Sequence, residues 1–585
     1  MEKDNGPNTT DDSLPIELPV CTDVPARISH AMFVCILIFA ACPRFYQLAE
    51  MGYRFCDEGY HLNHSILYLI DHDEPFLYFK HGLHWFNTFG LTVFGLEQAG
   101  SLYWSAMVGL ATIVFLYVTL GWLVNRRVAL LGSAAVAVSH YVLFYHRSNM
   151  SDGHALMFFC LVTMLLVLAA RHFGLGPVQE TPNDDRPAAK SWAILVAGGL
   201  LLGFSFAVRI QTCIILVGSI CAWGLTLVLM RRTRPWKQMT SGAAVLAALA
   251  VSGYGGFMFY LRHNVLWGST VIWYEKNFAV AQGELKAWSL YLVDHLTAYC
   301  SGAFLLFGIC GLIGATLFCR RAGFAMIWLV LCWWGLFAAF TMMGLPFPRA
   351  HLYLVLYLCI FWAIAIDWIG HRVGKATGRK WLGVTVAIAI AVVSAALELQ
   401  KSRTLLNSKG GYREAVAYVT ATTPGKMMIA THAWPIFRAS HLHQTTVLYD
   451  YVNDMPDSLE VQSTWFPEKL RRSFEEIGTS HMILDSYVPY GCSATAHLFL
   501  QRFCATYPPD LIIRNDFGLD AQTSWDAFRR ELQPCMLARY HVIYRLERFA
   551  QADFAPRPLA TATDVDRLEL LILDRYLSTG RQVVE

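Results

Sequence analysis

The stretch YRFCDEGYHLNHS, from Tyr53 to Ser65, puts two adjacent carboxylates, Asp57 and Glu58, ahead of His61 and His64. A positioned carboxylate can take the proton of a hydroxyl or amine that is about to attack. Asp57, His61 and His64 also stand at i, i+4 and i+7. A helix would carry them on one face, where they could bind zinc or manganese. Plainer roles compete: Asp57 could be a helix N-cap and Glu58 a solvated first-turn acid. Cations recur further on. Lys80 stands in LYFKHGLHW, Arg147 with Asp152 in FYHRSNMSDGH, and Arg349 with His351 and Tyr353 in GLPFPRAHLYLVLY. Positive charge in such numbers suits a phosphate that binds or leaves. Lys80 could instead reach toward lipid headgroups, Arg147 and Arg349 could anchor helix ends, and Asp152 could cap a helix.

The elements that must position these residues are membrane helices. The chain has 585 residues, 55% hydrophobic and only 15% charged, against about 25% charged in a soluble domain. A net charge of +3 gives no ground for nucleic-acid binding, and 14% aromatic residues suit interfacial belts. Apolar runs near the bilayer-spanning length of about 20 residues fall at 29–48, 101–124, 128–146, 152–171, 191–208, 210–230, 240–261, 289–318, 322–343, 350–369 and 381–398. These predict eleven spans, the pair at 191–208 and 210–230 being divided only by Arg209 and its neighbour. With the N-terminus cytoplasmic, inner loops hold 15 Lys and Arg against 8 on the outer side, which satisfies the positive-inside rule. The polar stretch ahead of the first run lacks a small-residue cleavage site, so that run reads as a retained anchor. Asp57, Lys80, Arg147, Asp152 and Arg349 then share one outer face, where ionisable residues are functional candidates.

The expected organisation is mainly α: a polytopic helix bundle with a smaller α/β domain outside the membrane. Residues 1–28 form a cytoplasmic tail, 29–400 the transmembrane module with a long first outer loop at 49–100, and 401–585 the extracytoplasmic domain. In the loop, HLNHSILYLI and KHGLHWFNTFGLTVFG read as helices lying in the interface, apolar faces toward lipid. In the last part, YREAVAYVTATTPGKMMIATH and PEKLRRSFEEIGTSHMILDS each read as helix, turn and strand, and YHVIYRLERF as a late strand. DVDRLELLILDRYL is amphipathic and should dock on this domain. Of the 15 cysteines only Cys492, Cys504 and Cys535 lie here; one disulfide or three free thiols are both open. The sequons at Asn63 and Asn149 lie too near the membrane to be good glycan acceptors.

The order and common sidedness of CDEGYH, LYFKHGLHW, MSDGHALMF and PRAHLYLVLY resemble the GT-C class of membrane glycosyltransferases. They are most similar to the branch of protein O-mannosyltransferases and lipid A aminoarabinose transferases, over most of residues 29–400. The resemblance implies inverting transfer of a hexose or pentose from a polyprenyl-phosphate donor to a protein, lipid or envelope-glycan acceptor outside the cytoplasm. It assigns Asp57 as general base toward the acceptor, with Glu58 beside it and Asp152 as the second acid, positioning the acceptor or holding a divalent cation. Lys80 and Arg349, with Arg147, His351 and Tyr353, would bind the donor phosphate. Phe79 before Lys80, and His81 and Gly82 after it, depart from the aminoarabinose-transferase motif and argue against that branch's sugar and metal site. The compact loops point to a bacterial inner membrane with the site on the periplasmic side. A transporter or flippase of lipid-linked sugars is the alternative, but the polar residues gather at one face and not at the bilayer midplane.

Overall fold

The computed structural model describes residues 24–53, 56–70, 81–172, 187–229, 300–343, 351–422, 427–430, 443–485, 493–516 and 539–584, with a few isolated residues besides. Helices account for most of them. α1 (Ala26–Phe45) leads through a short turn, α2 (Leu48–Met51), to α3 (Cys56–Ile70) and α4 (His81–Phe94). α5 (Gln98–Leu123), α6 (Arg126–Val138), α7 (His140–His146), α8 (Ser151–His172), α9 (Pro187–Val208) and α10 (Ile210–Leu229) follow. After them come α11 (Gly302–Ala322), α12 (Phe324–Met343), α13 (Leu352–Ala376) and α14 (Lys380–Asn407). Helices lie in the expected spans except 240–261, which lies almost wholly outside the described residues, and in 289–318 the described helix begins at Gly302. Among those residues five helices are long and apolar enough to cross a bilayer, or six when α6 and α7 count as one span. That pair, read from sequence as one run, bends by 66° at Ser139, whose side chain caps the Val142 amide at the start of α7.

The bundle is held by close packing and by polar side chains spent on helix ends. Gly370 and Gly383 let α13 and α14 meet backbone to backbone: a Cβ on Gly383 would stand 2.0 Å from the Gly370 carbonyl oxygen. Buried Glu398 on α14 accepts the amides of His140 (3.1 Å) and Ser301 (2.8 Å), so one carboxylate caps two helices. Three residues on, Lys401 donates to the carbonyls of Thr297 and Cys300.

The last part mixes helices with a small sheet. α15 (Tyr412–Thr422) leads to a five-stranded sheet built from β1 (Met427–Ala430), β2 (His443–Val447), β3 (His481–Leu484), β4 (Leu511–Arg514) and β5 (Tyr540–Arg545), in the order β2-β1-β3-β5-β4. β1 runs parallel to β2 and β3; β5 is antiparallel to β3 and β4. α16 (Leu448–Asn453), α17 (Leu459–Arg472), α18 (Ala494–Thr506) and α19 (Val565–Ser578) complete it. Leu568, Ile572 and Tyr576 of α19 are buried in the same core as Phe499, Phe503 and Tyr544, so the amphipathic C-terminal helix docks as its pattern requires. The helix expected to end at 398 continues to Asn407. Cys504 is a free, buried thiol whose pKa burial pushes up to about 12; Cys492 and Cys535 lie outside the described residues.

The first outer loop departs from expectation in one respect. α4 exposes Trp85, Phe89 and Val93 at helical spacing, a stripe suited to lipid. α3 turns its apolar face inward instead. Leu62, with Ile66 and Leu69 against it, shares a core with Tyr53, Leu102 and Leu143 and with Tyr412, Met428 and Ile483 of the last domain. The sequence pattern identifies an apolar face but not what covers it, and here the α/β domain lies over the loop.

Candidate active site

Of the residues singled out in the sequence, Arg147 and Asp152 lie on the tight turn between α7 and α8, and Glu58 meets that turn at Asn149. α7 and α8 approach so closely that a Cβ on Gly153 would stand 2.7 Å from the Tyr145 carbonyl oxygen. Each polar side chain of this elbow has a use. Arg147 is fully buried and donates to the carbonyls of Pro43 and Tyr46 (2.9 Å for the latter). These are last-turn carbonyls of α1 and its cap, which lack partners within the helix and carry partial negative charge. Arg147 thus ties off α1.

Asn149 reaches α3. Its amide N–H donates to the Glu58 carboxylate (2.8 Å) and its side-chain Nδ2 to the Glu58 carbonyl (3.2 Å), while its Oδ1 accepts from Asn87 of α4 (3.1 Å). Glu58 is fully buried, not the solvated acid of the plainer reading. Its neighbour Asp57 lies in the first turn of α3, inside the helix and not at the cap; the Asp57 side chain lies outside what the structure describes. Tyr53, also buried, hydrogen-bonds Ser101 at 2.6 Å. Burial holds its hydroxyl well above the ordinary tyrosine range, with the Glu58 charge adding to the shift.

At the far end of the elbow, Asp152 forms a buried ion pair with Arg209, which also donates to Ser151 (3.1 Å). Arg209 sits at the break between α9 and α10. Three residues later Thr212 shares a 2.6 Å hydrogen bond with Tyr353 of α13, whose ring meets Phe159 edge-on. His351 is buried at the start of α13. Lys80 and Arg349 lie outside the described residues.

The histidines converge as well. His61 Nδ1 and His84 Nε2 are 3.4 Å apart, and the His64 and His84 rings are 5.2 Å apart. Among the described residues no group of three or more His, Cys, Asp or Glu is arranged to hold a metal ion.

Asn149, Asn87, Tyr53 and Arg209 were not among the sequence candidates. Arg209 had a readable signal: a lone charge between two apolar runs needs a partner in the bundle. Asn149 and Asn87 had none, because neutral amides are common in loops and helix interfaces alike.

This arrangement defines a membrane-embedded helix bundle with a buried polar site at one end, and an α/β domain that shares a core with the first loop. The bundle has the GT-C fold. It is similar to the oligosaccharyltransferase of Archaeoglobus fulgidus in the apo form, with a TM-score of 0.55 and 12% identity over 81% of this chain and 71% of that one. It is also similar to ArnT from Cupriavidus metallidurans bound to undecaprenyl phosphate, with a TM-score of 0.53 and 12% identity over 80% of this chain and 96% of that one. No protein-family model matches the sequence, and no curated protein does either.

Proposed function

We propose that this protein is an integral-membrane glycosyltransferase that moves a hexose or pentose from a polyprenyl-phosphate donor to an extracytoplasmic acceptor. The observation that carries the reading is the meeting of the Asp57–Glu58 turn with the Asp152 elbow at one end of a GT-C bundle. ArnT, of the same fold, holds undecaprenyl phosphate, which supports a lipid-linked donor here.

In this reading Asp57 takes the proton of the acceptor hydroxyl or amine as it attacks the anomeric carbon. The bond from that carbon to the phosphate oxygen breaks, and its electron pair leaves with polyprenyl phosphate. One displacement inverts the anomeric configuration. Lys80 and Arg349 neutralise the phosphate as its charge grows, where such stabilisation acts most strongly. Arg147, Glu58 and Tyr353 shape the site through their contacts to α1, Asn149 and Thr212, and Asp152 with Arg209 forms its floor. The site faces the periplasm of a bacterial inner membrane.

The test is to incubate the purified full-length protein with a total extract of polyprenyl-phosphate sugars and envelope acceptors, following free polyprenyl phosphate by mass spectrometry. Release by the wild type and not by Asp57→Asn is expected. No release from any donor overturns the transferase, and release undiminished in Asp57→Asn removes Asp57 as base.

A further inference from the structure

We propose that Asn149 is the positioning residue that sets the first turn of α3, and with it Asp57, against the elbow that carries Asp152. This rests on the reading of Asp57 as general base. Asn149 grips the residue next to Asp57 twice, once at its carboxylate and once at its backbone carbonyl. Holding both groups of Glu58 fixes the place of the turn and its rotation about the helix axis. The third bond, from Asn87, brings α4 into the same unit.

The grip is only as firm as the elbow, and the elbow is pinned on both sides. Arg147 holds the α1 end at Tyr46, 101 residues away in sequence. Ser151 and Asp152 are held by Arg209 at the α9–α10 break. The packed bundle therefore sets where the turn of α3 stands. An amide at 149 suits this chemistry. One side chain must donate to a carbonyl and accept from an amide at once, which an aspartate or an aliphatic residue cannot do. The same contacts account for the sequon Asn149-Met150-Ser151. The nitrogen that a glycan would take is buried and bonded to Glu58.

Full-length Asn149→Ala, Asn149→Asp, Asn87→Ala, the Asn87→Ala/Asn149→Ala double variant and Asp57→Asn are compared with wild type. The assay is the polyprenyl-phosphate release described above, with the donor extract titrated by its phosphate content. Misplacing a reacting group by about 1 Å can cost 10²-fold. Asn149→Ala should therefore lose about 10- to 100-fold in kcat, with the apparent KM for donor unchanged. The double variant should lose no more than Asn149→Ala, because the two amides act as one unit. Asn149→Asp keeps the shape but sets a second carboxylate against Glu58, one residue from Asp57. The acidic limb of its pH–rate profile should move upward, a shift that loosened packing alone does not produce. Should Asn149→Ala fail to fold, the Asp variant and Asn87→Ala carry the test. The proposal is overturned if Asp57→Asn is inactive while Asn149→Ala keeps wild-type kcat. A loss confined to KM, or an unmoved acidic limb in Asn149→Asp, overturns it too. Wild-type turnover in Asp57→Asn removes the base itself, and the positioning role with it.

Discussion

Asp152 and Arg209 are each other's counter-ion inside the bundle, at 1% and 7% side-chain exposure. Removing one partner of such a pair leaves a buried charge uncompensated, which costs about 3–5 kcal/mol. Arg209→Met should accordingly lower the melting temperature of the detergent-solubilised protein by several degrees. Adding Asp152→Asn should restore part of the loss, because the orphan charge disappears. Thermal unfolding of the two variants measures this directly. If the single variant melts like wild type, the pair contributes nothing to the bundle. Arg209 and Ser151 are 58 positions apart in sequence, and only the fold could show that they meet.

At the scale of elements, the junction between the loop and the α/β domain depends on Gly410. Its amide donates to the Met51 carbonyl (2.8 Å), and its own carbonyl accepts from His541 of β5 (2.6 Å). A Cβ here would stand 1.9 Å from the Tyr53 carbonyl oxygen, and the atoms it would meet are backbone of Met51 and Tyr53, with no flexible side chain to move away. Gly410→Ala should therefore part the loop from the domain. Hydrogen exchange should rise in the peptides covering 46–53 and 540–545 and stay unchanged in α13. Equal protection in wild type and variant would mean that the contact is dispensable. Glu398 offers a second probe. Glu398→Ala uncaps α7 and α11 together, at about 1 kcal/mol for each lost cap. Because α7 leads into the elbow, the variant should lose activity along with stability.

At the scale of the molecule, the α/β domain should be sensitive to acid. His481, His497 and His541 all have pKa values lowered to about 4, burial being the first cause in each; the Arg545 charge adds to it at His481. A histidine titrates near 6.5 when unfolded, so between pH 6.5 and 4 the unfolded chain binds the proton that the folded one refuses. The stability these histidines contribute is complete above pH 6.5 and falls as pH drops toward 4, by up to about 1.4 kcal/mol per pH unit for each. Exchange protection of β3 and β5 should drop over that window, and His541→Gln should flatten the dependence. A flat profile for the wild type would contradict it.

Much of this protein was legible in its residues. The apolar runs announced the helices because a bilayer demands about 20 such residues in a row. The alternation of helix and strand after residue 407 announced the α/β domain, and the acids of CDEGYH marked the first loop. Each of these signals is local. What only the tertiary structure decided is which distant groups meet. The backbone of Asn149 reaches Glu58 across 91 positions, Glu398 reaches His140 across 258, and the apolar face of α3 joins a core shared with the α/β domain instead of facing lipid. Periodicity tells a helix which face to bury. The partner for that face, and for each buried polar group, is set by how whole helices pack, and no stretch of sequence contains that geometry.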